Sequence, residues 1–445
     1  MSYFRKDIGL MKILDFAKKT QIAKHFINFN QFLNKTPEEV HLYQIERLRS
    51  LLSHVQNTVP YYQNREDYKI DTSKISSISV LKRLPIINRE DIREHQHELI
   101  SEFYSKKELV SSSSSGTTGI PIKYYTDKKG LSAGVASGYT LWGMAGWKFG
   151  QRNIHIWGNK TSIKRWNTLG SKCKNLLINQ KNIASNLLDN FLNFDDIIDD
   201  IIKFNPKSIE GYTSTIYTLA DFMKKNAIKI DSLKQVFTTA ENLERYQKEL
   251  IEDVLAPVSD LYGSGEVKGI AIRPAGENKY YIFDPHVILE TTESGIPGMK
   301  DVLLTDLDNY GMPLLRYKIG DMIDEIMEPE ENSRFPFRWF TKVYGRSSDV
   351  ISLPNGMKFH PVNIFGGTLF RKFGGITRHK VIWNGSVLNF VFEANNFKKG
   401  HELKNALGEL LQPYQIEFTT SFVDKIEPSK SGKYKYLEID DKGVE

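Results

Sequence analysis

From residue 194 to residue 255 the chain reads FDDIIDDIIKFNPKSIEGYTSTIYTLADFMKKNAIKIDSLKQVFTTAENLERYQKELIEDVL. Two short β-rich runs, SIEGY and QVFTT, are separated by stretches whose apolar residues recur at helical spacing. The helical stretches are FDDIIDDIIKF, STIYTLADFMKKN and ENLERYQKELIEDVL. Strand and helix alternating at this interval predict an α/β domain built on parallel sheet. The pattern extends upstream to the strand candidate RNIHIWG, and short β-rich runs keep alternating with helical ones from about residue 105 to 320.

Before it, residues 36–100 read as helices with short breaks. HLYQIERLRSLLSHVQNTVPYY predicts one amphipathic helix stopped by Pro60, and NREDIREHQHELI another with Asn88 as its N-cap. After Gly345 the text changes. A helix-like stretch at 362–373 precedes strands at HKVIWNG and SVLNFVFEA, with Asn384-Gly385 as a type I′ hairpin signal. A helix over 398–411 and a strand over 416–423 follow. The expected organisation is a basic N-terminal helix region (1–38), a large α/β domain with mixed and parallel sheet (39–345) and a small C-terminal α+β domain (346–445).

Composition bounds the function. The 445 residues carry 60 basic and 54 acidic side chains, a net charge of +6, with 40% hydrophobic residues. Those fractions belong to a globular protein, and roughly 100–200 residues per domain allows two to four domains. No apolar run approaches the roughly 20 residues of a membrane-crossing helix. The single cysteine, Cys173, excludes an intramolecular disulfide and a multi-cysteine zinc site. No secretory leader pattern is visible, so the expected address is the cytoplasm. Up to Thr36 there are seven basic residues and two acidic ones. Apolar residues at Leu10, Ile13, Leu14 and Ala17 make this a basic amphipathic helix, which suits an anionic membrane surface, a partner, or packing on its own domain. No basic groove interleaved with aromatics points to nucleic acid.

Five segments carry chemistry. In Leu109-Val-Ser-Ser-Ser-Ser-Ser-Gly-Thr-Thr-Gly-Ile-Pro121, Leu109 and Val110 are expected to end a strand. Ser114, Ser115, Gly116, Thr117, Thr118 and Gly119 then form a small-residue, hydroxyl-rich loop. Such a loop lets backbone N–H groups approach a polyphosphate; read alone, it is equally a Ser/Gly linker. In Asp260-Leu-Tyr-Gly-Ser-Gly-Glu-Val-Lys-Gly269, Glu266 follows a glycine-rich strand end and could hold Mg²⁺. The glycine spacing is one residue too long for a dinucleotide fingerprint. In Leu304-Thr-Asp-Leu-Asp-Asn-Tyr-Gly-Met-Pro-Leu-Leu-Arg-Tyr-Lys-Ile-Gly-Asp321, Asp321 could accept both hydroxyls of a ribose or simply close a turn. Tyr344-Gly-Arg-Ser-Ser-Asp349 is a charged turn at the expected boundary. Pro428-Ser-Lys-Ser-Gly-Lys433 ends the series.

In this order and spacing the segments resemble the adenylate-forming superfamily of acyl-CoA synthetases and peptide-synthetase adenylation domains. The phenylacetate–CoA ligase-like branch, with its capsular-polysaccharide members, is the most similar. Matches also lie at LLSHVQNTVPYYQ, LPIINREDIR, EGYTS and TTAENL, so the resemblance spans about residues 43–440. It implies ATP-dependent activation of a carboxylic acid to an acyl-adenylate and transfer to CoA or to an amine such as an amino sugar, with capsule biosynthesis as the setting its capsular members suggest. By the same resemblance, residues 114–119 hold the β- and γ-phosphates, with Thr117 among the catalytic residues, and Glu266 the Mg²⁺. Asp321 binds the ribose with Arg346 nearby, Ala240 and Glu241 pass the adenine, and Tyr262, beside Gly263, packs on its face. Lys433 bridges the substrate carboxylate and the α-phosphate, and Ser347, Ser348 and Asp349 are the hinge. Gly211, Tyr212 and Ser214, with Tyr139 and Trp142, are the acyl-pocket candidates. The sequence departs from the pattern at Ile122, where many members have lysine after the loop proline, and at 271–276, which lacks the cysteines some relatives place there. The resemblance leaves open a second expectation, a catalytically weak nucleotide-binding scaffold of a polysaccharide-assembly complex.

Overall fold

The structure, a computed structural model, describes residues 2–113, 122–158, 168–185, 194–353, 358–359, 373, 375–376, 378–394, 397–427 and 437–439. Helices α1 (Ser2–Lys18), α2 (Ile22–Gln31) and α3 (Pro37–Thr58) come first. Thr36 caps α3 through a reciprocal box with Glu39, and Pro37 occupies the first turn, where its missing N–H costs nothing. The helix therefore begins four residues before the stretch HLYQIERL suggests. Its buried stripe, Val40, Gln44, Ile45, Leu48, Leu51, Leu52 and Val55, follows the helical repeat. Each such aliphatic side chain stabilises by about 1.5–3 kcal/mol on burial. Asn88 caps α4 (Arg89–Glu94) as expected, but that helix stops at Glu94, short of the pattern.

On α1 the apolar face differs from the expected one. Met11 is buried and Leu10 and Leu14 pack inward, whereas Ile13 and Ala17 face solvent and Phe16 is 91% exposed. At about 100° per residue, 10, 11 and 14 fall within one arc and 13 and 16 outside it, whereas Ala17 lies in line with Leu10 but about two turns further along.

Strands β1 (Leu109–Ser113) and β2 (Lys123–Asp127) form an antiparallel ribbon. Leu109 and Val110 thus begin a strand rather than end one. Leu109 is the strand's one buried position, and the strand continues through the exposed serines 111–113 on ladder hydrogen bonds rather than on apolar contacts. The connection at 114–121 lies outside the described residues. Asp127 then caps α5 (Lys128–Met144), accepting from the Lys129 and Gly130 amides.

The alternating segment forms β3 (Asn153–Ile156), α6 (Leu169–Leu177), β4 (Gln180–Ile183), α7 (Phe194–Phe204), β5 (Ser208–Tyr212), α8 (Thr213–Lys225), β6 (Gln235–Thr239), α9 (Arg245–Val254) and β7 (Val258–Tyr262). The strands lie in the order β4-β3-β5-β6-β7, all parallel. Beyond β7 the sheet turns antiparallel through β8 (Ala271–Arg273) and β9 (Tyr280–Ile282). A second sheet contains β10 (Val287–Glu293), β11 (Lys300–Asp306) and β12 (Tyr317–Ile323). The two-residue β13 (Trp339–Phe340) closes the edge of the first sheet, and β14 (Val343–Arg346) joins the second after β12. α5 and α8 cover opposite faces of the first sheet: Trp142 of α5 stacks on Phe237, while Ile216 of α8 packs with Ile154, Ile209 and Val236.

A separate core belongs to the small C-terminal domain. After β15 (Ile351–Ser352) and β16 (Lys358–Phe359), a four-stranded sheet is built from β17 (Arg378–Trp383), β18 (Val387–Glu393), β19 (Glu417–Val423) and β20 (Leu437–Ile439). Leu403, Leu407 and Leu411 of α10 (Gly400–Leu411) pack on it. The β17–β18 connection is not a type I′ turn. That turn needs positive φ at both central residues, and of Asn384 and Gly385 only Gly385 has it. Asn384 instead accepts the Ser386 and Val387 amides through its side chain. The helix expected over 362–373 is outside the described residues, Phe373 itself excepted.

Candidate active site

The carboxyl ends of the parallel strands gather the sequence candidates. Tyr262 ends β7, and its buried hydroxyl donates to Asp321 Oδ2 at 3.1 Å. Asp321 lies on β12, paired in register with Arg346 on β14, and its other oxygen meets Arg346 Nε at 2.9 Å. Beside Asp321 the Arg346 guanidinium is held above its ordinary pKa. Burial raises the Tyr262 phenol well above its ordinary value, so it stays a donor at neutral pH. The turn after Tyr262 closes on itself through Ser264 and Val267. It presents Glu266, half-buried, with Oε1 3.5 Å from the Tyr317 hydroxyl. Glu266 also contributes to the charge environment of Arg346. Tyr262, Glu266, Asp321 and Arg346 therefore form one cluster, which Tyr317 completes.

Gly263 is exposed at the start of this turn. Further along, Gly269 adopts φ +66° and lies against α5, where Ser137 donates to its carbonyl at 2.6 Å. A side chain at Gly269 would meet Ser137 Oγ at 2.5 Å and the Gly138 amide nitrogen at 2.8 Å. Only glycine satisfies both the conformation and the approach.

At the end of β6, Ala240 takes φ +67°, and Glu241 folds back so that its Oε2 accepts the Ser214 amide at 2.8 Å. Thr213 donates to the Glu241 carbonyl. Gly211 and Tyr212, at the end of β5, and Ser214, at the start of α8, are thus tied to the Ala240–Glu241 turn. Gly211 admits no side chain, since a Cβ would meet the Ile156 carbonyl at 2.9 Å. Tyr139 and Trp142 lie in an aromatic cluster with Trp147, Phe149 and Phe237, and the Tyr139 phenol, raised by burial, also feels the charge of Glu210 on β5. Ser347 begins a single 3-10 turn to Asp349, and its hydroxyl donates to the Gly320 carbonyl at 3.3 Å. The Ser348 side chain, Ser114, Ser115, Gly116, Thr117, Thr118, Gly119 and Lys433 lie outside the described residues.

A buried ionic group that sequence reading did not single out supports the turn from behind. His286 Nδ1 lies 2.7 Å from Asp308 Oδ2, and its Nε2 3.1 Å from the Lys268 carbonyl. Both partners are acceptors, so both ring nitrogens donate and the ring is an imidazolium. Burial works against that charge, but Asp306 and Asp308 outweigh it and raise the pKa. Burial pushes Asp306 up to about 6. Arg47 of α3 pairs with Asp308 at 2.8 Å. The three residues His286, Asp306 and Asp308 are close enough to suggest a metal site, but a histidine donating through both nitrogens has no lone pair for one. The Asp306-Leu-Asp308 pattern was visible in the sequence; its partners at 47 and 286 were not.

No family model matches the chain. It is 23% identical over 427 residues to the protein CapK of Staphylococcus aureus, covering 94% of this chain and 93% of that one. It is 24% identical over 354 residues to a phenylacetate-coenzyme A ligase of Thermus thermophilus, covering 74% of each. Among solved structures, a 2-hydroxyisobutyryl-CoA ligase in complex with 2-HIB-AMP superposes with a TM-score of 0.71 at 15% identity, covering 89% of both chains. The chain thus has the fold of the adenylate-forming ligases, and its sequence is similar to the phenylacetate–CoA ligase-like branch of that superfamily.

Proposed function

We propose that this chain activates a carboxylic acid with ATP, forming an acyl-adenylate and pyrophosphate, and passes the acyl group to CoA or to an amine such as an amino sugar. The observation that carries the reading is the convergence of Tyr262, Glu266, Asp321 and Arg346 at one edge of the two sheets. A free carboxylate is a poor electrophile because oxide leaves badly, whereas AMP leaves readily. Bringing a carboxylate to a phosphate requires positive charge and N–H donors at the α-phosphate. Asp321 would take the ribose hydroxyls, with Arg346 fixing its carboxylate, and the amides of 114–119 would take the phosphates. Ala240 and Glu241 would border the adenine and Tyr262 would pack near it. Lys433 would supply the charge between substrate carboxylate and α-phosphate.

Glu266 fits a magnesium ion that accompanies ATP. It is a hard oxygen ligand on a half-buried turn, and Mg²⁺ commonly takes one or two carboxylates with substrate phosphates. The ion's contribution when bound is to neutralise charge on the phosphates. After adenylation, Ser347, Ser348 and Asp349 would let the small domain rotate, moving Lys433 away and admitting the acceptor.

The likeness to CapK supports a place in surface-polysaccharide assembly. The lysines around Ile13 and Phe16 support peripheral contact of α1 with an anionic surface; among the described residues, no helix is long and apolar enough to cross a membrane. The deciding experiment is pyrophosphate release with ATP and Mg²⁺ against aryl, fatty, amino and sugar acids, with and without CoA. Release raised by CoA, with a thioester product, assigns a thiol acceptor. Release indifferent to CoA favours an amine, and no acid-dependent release would sink the reading.

A further inference from the structure

The parallel part of the first sheet runs β4-β3-β5-β6-β7. The chain leaves β3 toward β4 on one side, then crosses back to β5 on the other. The order therefore reverses between β3 and β5, and in open α/β sheets ligands lodge beyond the carboxyl ends of the strands at that switch point. Across this gap, His155 of β3 and Glu210 of β5 are direct register partners. His155 Nδ1 lies 2.7 Å from Glu210 Oε2, and the two side chains keep 23% and 13% of their surface exposed. Neither residue belongs to the cluster around Asp321.

The carboxylate only accepts, so Nδ1 carries the proton and Nε2 is left for a second hydrogen-bond partner. The ring is held by a stack on Trp157, with centroids 5.5 Å apart and planes 15° apart. Trp157 in turn packs on Tyr212 at 4.3 Å, so an aromatic wall also crosses the switch point at the strand ends. Close by, at the start of α8, the Ser214 hydroxyl is buried, and its oxygen has no hydrogen-bond partner among the described residues. An imidazole nitrogen, a carboxylate and an orphaned hydroxyl beside an aromatic wall are poor company for a hydrocarbon, because an apolar ligand would strand them without partners.

We propose that the switch-point crevice recognises the acyl part of the substrate, and that His155 and Glu210 select acids carrying hydroxyl groups. The inference rests on the ligase reading above and deepens it by naming the substrate class. Hydroxyl groups on the acid hydrogen-bond to His155 Nε2 and to Glu210, Ser214 gains the partner it lacks, and the carbon skeleton lies on Trp157 and Tyr212.

The test is pyrophosphate release with matched acids that differ by hydroxylation: isobutyrate against 2-hydroxyisobutyrate, phenylacetate against its 3- and 4-hydroxy derivatives, and cyclohexanecarboxylate against glucuronate. A site built to hydrogen-bond a substrate hydroxyl discriminates strongly against the analogue lacking it, so a preference in kcat/KM of about 100-fold or more is expected for at least one hydroxylated member. In Glu210→Gln and His155→Phe, the second keeping the aromatic stack, that ratio should fall at least tenfold with KM for ATP within twofold. Circular dichroism checks the fold, and either variant suffices if the other unfolds. A wild type that releases pyrophosphate but prefers the deoxy acids overturns this inference alone, as do variants in which both members of a pair slow in parallel. A wild type that releases no pyrophosphate with any of the acids overturns the ligase reading and this inference with it.

Discussion

Asp321 is held from both sides: the Tyr262 hydroxyl donates to one carboxylate oxygen and the Arg346 guanidinium engages the other. The three residues come from β7, β12 and β14, so the carboxylate joins the two sheets of the large domain. A carboxylate has about four lone-pair positions and these partners use two, which leaves capacity for ribose hydroxyls without breaking either contact. Asp321→Ala should weaken ATP binding by about 10–100-fold, the scale of one or two charged hydrogen bonds. Titration calorimetry reads it, and an unchanged affinity would remove Asp321 from the nucleotide site.

Lys433→Ala should cut acid-dependent pyrophosphate release by about 100-fold or more, the scale of losing one preorganised charge at the reacting phosphate. Acyl transfer from a supplied acyl-adenylate should be largely spared. Normal pyrophosphate release from this variant would reassign the lysine.

Gly269→Ala should destabilise the protein by about 2–4 kcal/mol, combining positive φ with overpacking against α5. The shift in urea midpoint measures it. A neutral substitution would show that α5 and the turn can separate without cost.

The His286 network gives a pH-dependent stability with a defined sign. The folded-state pKa of His286 is raised, so its contribution is fully present below the unfolded value of about 6.5 and is lost as pH rises through the folded value. The difference in melting temperature between wild type and His286→Gln should be larger at pH 6 than at pH 9. A difference that grows with pH would mean the ring is neutral in the fold.

The outward face of α1 carries Ile13 and Phe16 among the exposed Lys12, Lys18, Lys19 and Lys24. Of the helix's two acids, Asp7 and Asp15, the second is engaged by the Thr20 hydroxyl and the Ile22 and Ala23 amides. Co-sedimentation with phosphatidylserine vesicles should be measurable at low salt, fall as salt rises, and drop severalfold in Phe16→Ser. Protein that stays in the supernatant at low salt would end the surface reading.

Much of the fold was legible because local and global demands agree. FDDIIDDIIKF, SIEGY and QVFTT occupy the helix and strands that their periodicity implies, and the Asn88 cap is real. Legibility failed where a partner far along the chain decides. Ile13 and Leu14 are equally apolar, yet only contact with α2 and α5 settles which one faces in. The capping box at Thr36 was written in the sequence and passed over in favour of the apolar run beyond it. The cluster at Asp321 follows from motifs that each carry their own turn chemistry. His155 and Glu210 carry no such signature, because their pairing depends on β4 lying outside β3 rather than between β3 and β5.

The first sheet ends at β13, only two residues long, where Met327 and Trp339 exchange backbone hydrogen bonds and the Trp339 indole donates to the Glu328 carbonyl. A strand that short offers a second molecule almost nothing to zip onto, whereas β9 beneath it would present a bare ladder if β13 were missing. The place where this protein can be cut follows from that. A fragment stopping before Trp339 would carry an unguarded, self-adhesive margin and would lack β14, and one stopping before Val343 would keep β13 but still strip the last strand of the second sheet. Recombinant versions of the large domain alone must therefore run past Arg346 to remain monodisperse.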